Sequence, residues 1–170
     1  MAPPSIDELP GLVGTTFGPS HRVTIDQARI NAFADATLDH QWIHVDPERA
    51  ATGPFGTTVA HGYLTLSLLV DMVASMDFFP AGLSLVVNYG LDRLRFPAPV
   101  PVGSTLQATA VLSKLEPKGE GRWLATLTCR VEAEGASTPA LVADVLYLLV
   151  ASAPLPRGGL STPPPGGPWL

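Results

Sequence analysis

From His61 to Met76 the chain is apolar on nearly every side, through Tyr63, Leu64, Leu66, Leu68, Leu69, Val70, Met72, Val73 and Met76. A helix with apolar residues around its full turn, rather than along one stripe, needs cover on all sides. The remaining chain supplies it. Four segments with strand character follow, roughly 84–96, 105–115, 122–132 and 141–150, separated by turn residues. Leu106, Ala108, Ala110 and Leu112 alternate with Thr105, Gln107, Thr109 and Ser113, and Trp123, Ala125, Leu127, Cys129 and Val131 alternate with Thr126, Thr128, Arg130 and Glu132. Such period-two patterning describes a sheet with one face on a core. In the first strand the apolar phase sits on Leu85, Val87, Tyr89 and Leu91 and then moves to Leu94 and Phe96, which predicts a bulge near Gly90. The last strand is apolar on both faces and belongs in the sheet interior or at a subunit contact. The fold class is therefore α+β, an antiparallel sheet wrapped around a long buried central helix.

A chain of 170 residues suits one domain, and a domain of this size buries roughly 68–70% of the surface its unfolded chain exposes. That domain is expected over residues 1–151, with the Pro/Gly-rich stretch 152–170 as a disordered tail. The single cysteine, Cys129, lies in an alternating apolar pattern and is read as a small core residue. The N-terminus lacks the basic and apolar regions of a secretory signal. The apolar runs Leu64–Met76 and Leu141–Val150 are interrupted by Asp71 and Asp144, and both are shorter than the ~20 residues a bilayer requires. A cytoplasmic protein is expected. The net charge of −5 and the lack of a Lys/Arg cluster argue against nucleic acid and membrane as main partners.

Ahead of the apolar helix, a helical turn is expected near Ser5–Leu9 and a short strand over His21–Thr24. Thr24-Ile25-Asp26-Gln27 has the form of a capping box, which predicts a helix carrying Ile30, Phe33, Ala34 and Thr37 on one buried stripe. That helix should fail at about Leu38 and pass into a histidine-rich loop. Asp46 then suits an N-cap, with Pro47 at the first position of a short helix that Gly53-Pro54-Phe55-Gly56 ends.

The chemistry gathers in that loop. Three of the four histidines fall between His40 and His61, with Asp39 and Asp46 beside them, in a chain otherwise poor in charge. A carboxylate and an imidazole sharing one water can activate it and move a proton. We expect Asp39 and His44 to do so, and the backbone amide of Gly62, at the start of the apolar helix, to stabilise an oxyanion. Asp39 as a loop cap and His44 as a satisfied core histidine is the plainer alternative. His61 is expected to hold the loop by hydrogen bonds, and His40 to be exposed. A metal held by His40, His44, Asp39, Asp46 and His61 is not expected, because the spacing of four between His40 and His44 serves ligation only on a helix, and Trp42 and Asp46-Pro47 suggest a loop.

The run Phe33-Ala34-Asp35, Asp39-His40-Gln41-Trp42-Ile43-His44-Val45-Asp46, Phe55-Gly56 and Ala60-His61-Gly62-Tyr63-Leu64, with Arg95-Phe96-Pro97-Ala98-Pro99-Val100-Pro101-Val102-Gly103, resembles the MaoC-like hydratase family. Within it the chain looks most like the (R)-specific enoyl-CoA hydratases. The resemblance spans about 25–150 and implies a hotdog fold, a homodimer, no cofactor, and reversible addition of water to a trans-2-enoyl-CoA. It places the family's catalytic pair on Asp39 and His44 and its oxyanion glycine on Gly62. Leu38 stands where the family commonly has Gly, and Gln41-Trp42 where it commonly has Asn-Pro. Gln41, Phe55, Gly56, Tyr63, Asn88 and Tyr89 are candidate substrate contacts. Arg93 and Arg95 are candidates for the coenzyme A phosphates, against the plainer reading of a solvated sheet face. Acyl-CoA thioester hydrolysis on the same fold, and an inactive acyl-ligand binding subunit, are the rival functions.

Overall fold

In the computed structural model residues 4–152 are described. Of the expected tail only Ser152 falls within them, so that expectation lies outside the described residues. In chain order the elements are a 3-10 turn at Leu9–Leu12, β1 (Thr16–Phe17), β2 (Val23–Thr24), α1 (Gln27–Thr37), α2 (Trp42–Val45), α3 (Pro47–Ala51), α4 (Gly62–Ala74), β3 (Leu83–Arg95), β4 (Thr105–Gly119), β5 (Arg122–Ala133) and β6 (Leu141–Ala151). The sheet runs β1-β4-β5-β6-β3, with β2 also on β4, and every pairing is antiparallel.

The alternating patterns fall as their period dictates. Leu106, Ala108, Ala110 and Leu112 of β4, and Ala125, Leu127, Cys129 and Val131 of β5, are all buried. They pack with Leu69, Met72 and Val73 of α4 in one core. β6, apolar on both faces, lies between β5 and β3, so it is an interior strand as its composition required. The register of β3 on β6 shifts between Asn88 and Gly90, where the apolar phase moves. A second shift, between Asp92 and Arg95, encloses Arg93 at φ 52.

Four local expectations are corrected. The first helical turn of the chain forms at Leu9–Leu12 rather than Ser5–Leu9. Thr24 does not cap α1. It is paired with Thr105 in the β2–β4 ladder, and Asp26 caps the helix by accepting from the Arg29 amide at 2.8 Å. β4 continues beyond 115 to Gly119 and closes on β5 through a tip in which Gly119, Glu120 and Gly121 take φ of 75°, 52° and 71°. Cover over α4 is one-sided within this single chain: Leu64, Thr65, Leu69, Met72 and Val73 are buried, whereas Tyr63 and Val70 are exposed. One sheet reaches one side of a helix, so an all-round apolar helix keeps its other side open. No helix among the described residues is long and apolar enough to cross a membrane.

Candidate active site

The site is built where α1 ends, α2 turns and α4 begins. α1 stops because Leu38 adopts left-handed backbone (φ 62) with its side chain 82% exposed. Glycine is the usual residue at such a helix end, because a Cβ there costs roughly 1–2 kcal/mol. The position thus accounts for the common Gly, and this chain tolerates the strain instead. The turn delivers Asp39, and Gln41 then opens α2. The expected loop is therefore a one-turn helix carrying His44 on its inner side.

Trp42 occupies the first position of α2, where proline is readily accepted. Its ring does by packing what a proline does by covalent restraint. The Arg49 guanidinium lies 4.5 Å from the ring centroid, and a Cβ added at Gly53 would fall 2.8 Å from the ring. Asp46 caps α3 as expected, accepting from the Arg49 amide at 3.0 Å. The segment from Trp42 to Gly53 is therefore closed on itself.

His44 is 7% exposed. Its Nδ1 lies 2.6 Å from the Val59 carbonyl. A carbonyl only accepts, so Nδ1 carries the proton and Nε2 keeps its lone pair. Burial pushes the imidazole below its usual range of about 6.5, a pull that the Val59 bond and Asp39 oppose and His61 assists. His44 is thereby held as a neutral proton acceptor. His61 stacks on it, with ring centroids 3.7 Å apart and an interplanar angle of 26°. Its Nε2 donates to the Asp39 carbonyl at 2.9 Å, and its buried Nδ1 has no hydrogen-bond partner. The expected structural role of His61 is thus visible in its contacts. Ligand atoms of Asp39, His44 and His61 all lie within 4.8 Å of one another. Asp39 is the open member, with its side chain 55% exposed. His40 pairs with Asp35 at 2.9 Å, away from this cluster.

Gly62 follows His61 and starts α4. The Leu64 and Thr65 amides both turn back to the His61 carbonyl, at 3.1 and 3.2 Å, while those of Gly62 and Tyr63 have no carbonyl within the helix. A Cβ at Gly62 would meet the Phe96 ring at 3.0 Å. A side chain at 62 would press on that ring, while the backbone angles of Gly62 make no demand for glycine. Phe55, Gly62 and Phe96 line a groove of about 270 Å³ with Ala60, Thr65 and the Pro97–Val100 turn.

The other candidates are dispersed. Tyr63 packs edge-on against Phe96 with centroids 6.0 Å apart, and Gln41 and Gly56 lie outside the groove lining. Asn88 faces an apolar pocket of about 250 Å³ between α4 and β6, lined by Leu66, Leu69, Val145 and Tyr147. Tyr89, next in sequence, faces the opposite side of β3 toward Lys118 and Arg122. Arg93 donates Nε to Asp144 at 2.5 Å, and Thr128 donates to the other Asp144 oxygen at 2.9 Å. The bulge at Arg93 makes this pair possible. Arg95 donates to the Leu94 carbonyl at 2.7 Å. Sequence reasoning missed Val59, Thr58 and Gln27, which hold the loop, and Phe96, which sits on Gly62. Phe96 carried a signal as part of the Arg95–Gly103 run, and Gln27 carried only that of a capping box.

The MaoC like domain family matches residues 9–134. The chain belongs to that family. The MaoC-like chain is 52% identical over 147 residues to 3-hydroxyacyl-thioester dehydratase Z of Mycobacterium tuberculosis, covering 86% of this chain and 97% of the relative. It is 30% identical over 118 residues to the (R)-specific enoyl-CoA hydratase of Rhodospirillum rubrum, covering 68% and 78%. Among solved structures, the (R)-hydratase from A. caviae, described as involved in PHA biosynthesis, superimposes with a TM-score of 0.65 at 26% identity, covering 79% of this chain and 94% of that one. The sheet around α4 is the hotdog fold that such MaoC-like proteins share.

Proposed function

We propose that the chain is a hydro-lyase of acyl thioesters that hydrates trans-2-enoyl-CoA to (R)-3-hydroxyacyl-CoA and runs in reverse as a dehydratase. The observation that carries this reading is the clustering of the buried neutral imidazole of His44 and the Asp39 carboxylate with His61, the residue that immediately precedes Gly62 and the start of α4. Hydration needs a base for water as it attacks the β-carbon, a proton for the α-carbon, and a donor for the thioester oxygen as it gains negative charge. In this mechanism the water donates one hydrogen to Asp39 and one to His44 Nε2. As its oxygen bonds to the β-carbon, the pair takes its proton and returns one to the α-carbon, so the pair ends with the protons it began with. The Gly62 amide holds the enolate oxygen. The relatives named for dehydration and hydration of such thioesters support the same reaction class.

The cluster favours water over a cation. The two imidazole planes are nearly parallel, whereas tetrahedral ligation needs the planes, and the lone pairs that lie in them, to converge on one ion. In this reading no cofactor takes part, and the protein works in the cytoplasm as a homodimer. The long β3 edge, with Leu91 exposed, together with the open side of α4 at Tyr63 and Val70, is the face a second copy would cover. Phe55 and Tyr63 border the thioester, with Gln41 and Gly56 next to them, while Asn88 and Tyr89 of β3 contact the acyl and coenzyme portions. Arg95 faces the coenzyme phosphates, with Arg93 fixed beside it by Asp144.

The deciding experiment incubates the protein with crotonyl-CoA and follows both the enoyl ultraviolet absorption and free thiol. Loss of absorption without thiol is the expected result. Thiol release would instead mean that water attacks the carbonyl, and no change with short or long chains would leave an acyl-binding subunit.

A further inference from the structure

Gln27 stands at the first position of α1, well before the site in sequence, yet every hydrogen-bonding group of its side-chain amide is used at the site's support. Its Oε1 accepts from the Thr58 hydroxyl at 2.5 Å. Its Nε2 donates to the His44 carbonyl at 2.7 Å and to Asn31 Oδ1 at 2.8 Å. The His44 carbonyl belongs to a helix of one turn, where the last carbonyls lack intrahelical donors. Gln27 supplies the donor. Thr58 is 1% exposed and immediately precedes Val59, the residue whose carbonyl orients the His44 ring.

The amide therefore joins the two strands of chain whose separation sets that ring. One carries the backbone of His44, and the other carries the acceptor for its Nδ1. Between them, the Val59 amide donates to the Ile43 carbonyl at 3.0 Å, so the segments already lie side by side and Gln27 fixes their offset. Asn31, one turn further along α1, holds the amide in the orientation this requires.

We propose that Gln27 is a positioning residue for the proposed hydratase chemistry: through the Thr58 hydroxyl and the His44 carbonyl it sets the Nδ1–Val59 hydrogen bond, and with it the tautomer and aim of His44 Nε2. It touches neither water nor substrate. The inference rests on His44 acting as the base, but its first readout does not depend on any activity.

The test compares full-length wild type with Gln27→Met, which keeps the chain length and removes all three bonds, and with Thr58→Val and Thr58→Ser. Long-range proton–nitrogen correlation spectra of the imidazoles report the His44 tautomer directly. Wild type and Thr58→Ser should show Nδ1–H alone, while Gln27→Met and Thr58→Val should show a mixture of tautomers. With crotonyl-CoA, Gln27→Met should lower kcat about 10- to 100-fold, the scale of misaligning a reacting group, with KM little changed. The low-pH limb of the rate should also move to lower pH. The titratable groups facing the ring are His61, which precedes α4, and Asp39 from the turn after α1, both unaltered in these variants, so that movement reports the loss of the carbonyl bond. A folded Gln27→Met protein with the wild-type His44 tautomer overturns the proposal. If Gln27→Met fails to fold, the threonine pair decides: a wild-type spectrum in Thr58→Val also overturns it. Wild-type protein that hydrates nothing removes the proposed activity while the spectra still judge Gln27.

Discussion

In β5, Leu127 is fully buried between Leu112 on one neighbouring strand and Val145 on the other, and its backbone belongs to two ladders. Twenty-five residues of chain from Leu38 to Gly62 follow other rules. Leu38 holds its side chain in solvent on left-handed backbone, two imidazoles are buried with one nitrogen left without a partner, and a helix of one turn ends on a carbonyl that a distant glutamine must satisfy. Apolar area stabilises the sheet with little internal conflict. The turn region spends part of that stability on placing groups that would rather be in water, which is the pattern expected where reactivity is built.

Substitutions in the two regions should therefore separate activity from stability. Asp39→Asn and His44→Asn should each cut turnover of crotonyl-CoA by about 100- to 10,000-fold, the range of a lost acid–base group, while melting close to wild type. Unaffected turnover in either variant would sink the site assignment. Leu127→Ala should do the reverse. A cavity in this core costs about 2–5 kcal/mol, which thermal denaturation would register as a clear fall in Tm, with kcat at a temperature where the variant is folded near that of wild type. Equal losses in both properties would mean that the sheet and the turns are not separable.

Smaller effects sharpen the contrast. Leu38→Gly should raise stability by about 1 kcal/mol, because relief of the left-handed strain outweighs the added freedom of the unfolded chain. Denaturant melts that show no gain would remove the strain argument. The pH effect is smaller still. His44 takes up a proton less readily folded than unfolded, so the unfolded chain protonates first as pH falls through about 6.5. Stability from this group is present above that pH and declines below it until the folded value is passed. His44→Asn should flatten this part of the stability–pH curve, and a wild-type slope in the variant would point to another group.

The same contrast explains what could be read from sequence. Alternation in β4 and β5, the two-faced apolar character of β6 and the phase shift at Gly90 follow from burial alone, and burial is written locally, residue by residue. Asp39, His44 and Gly62 could be singled out because their order and spacing resemble a known pattern, and the fold brings the first two together. The supports were not. Gln27 fits a capping box on paper, but Thr24 is claimed by the β2–β4 ladder, which frees Gln27 for partners 17 and 31 residues away. The pairing of Arg93 with Asp144, 51 positions apart, depends on a bulge that no alternation predicts. The open side of α4 escaped for a related reason: composition states that a helix wants cover but not how much of it one chain can give.

The tip at Gly119–Glu120–Gly121 has a practical use. All three residues sit in backbone that bends without help from a core, and the tip is held only by surface bonds, Arg122 to the Gly119 carbonyl and the Glu120 carboxylate and Ala151 to the Gly121 carbonyl, so the Gly119–Glu120 junction has no buried contact to lose. Closing a longer loop costs little, since the entropy grows only with the logarithm of its length. A fluorophore-binding tag or an immobilisation peptide spliced at that junction would thus report on the protein without touching the segments that hold His44.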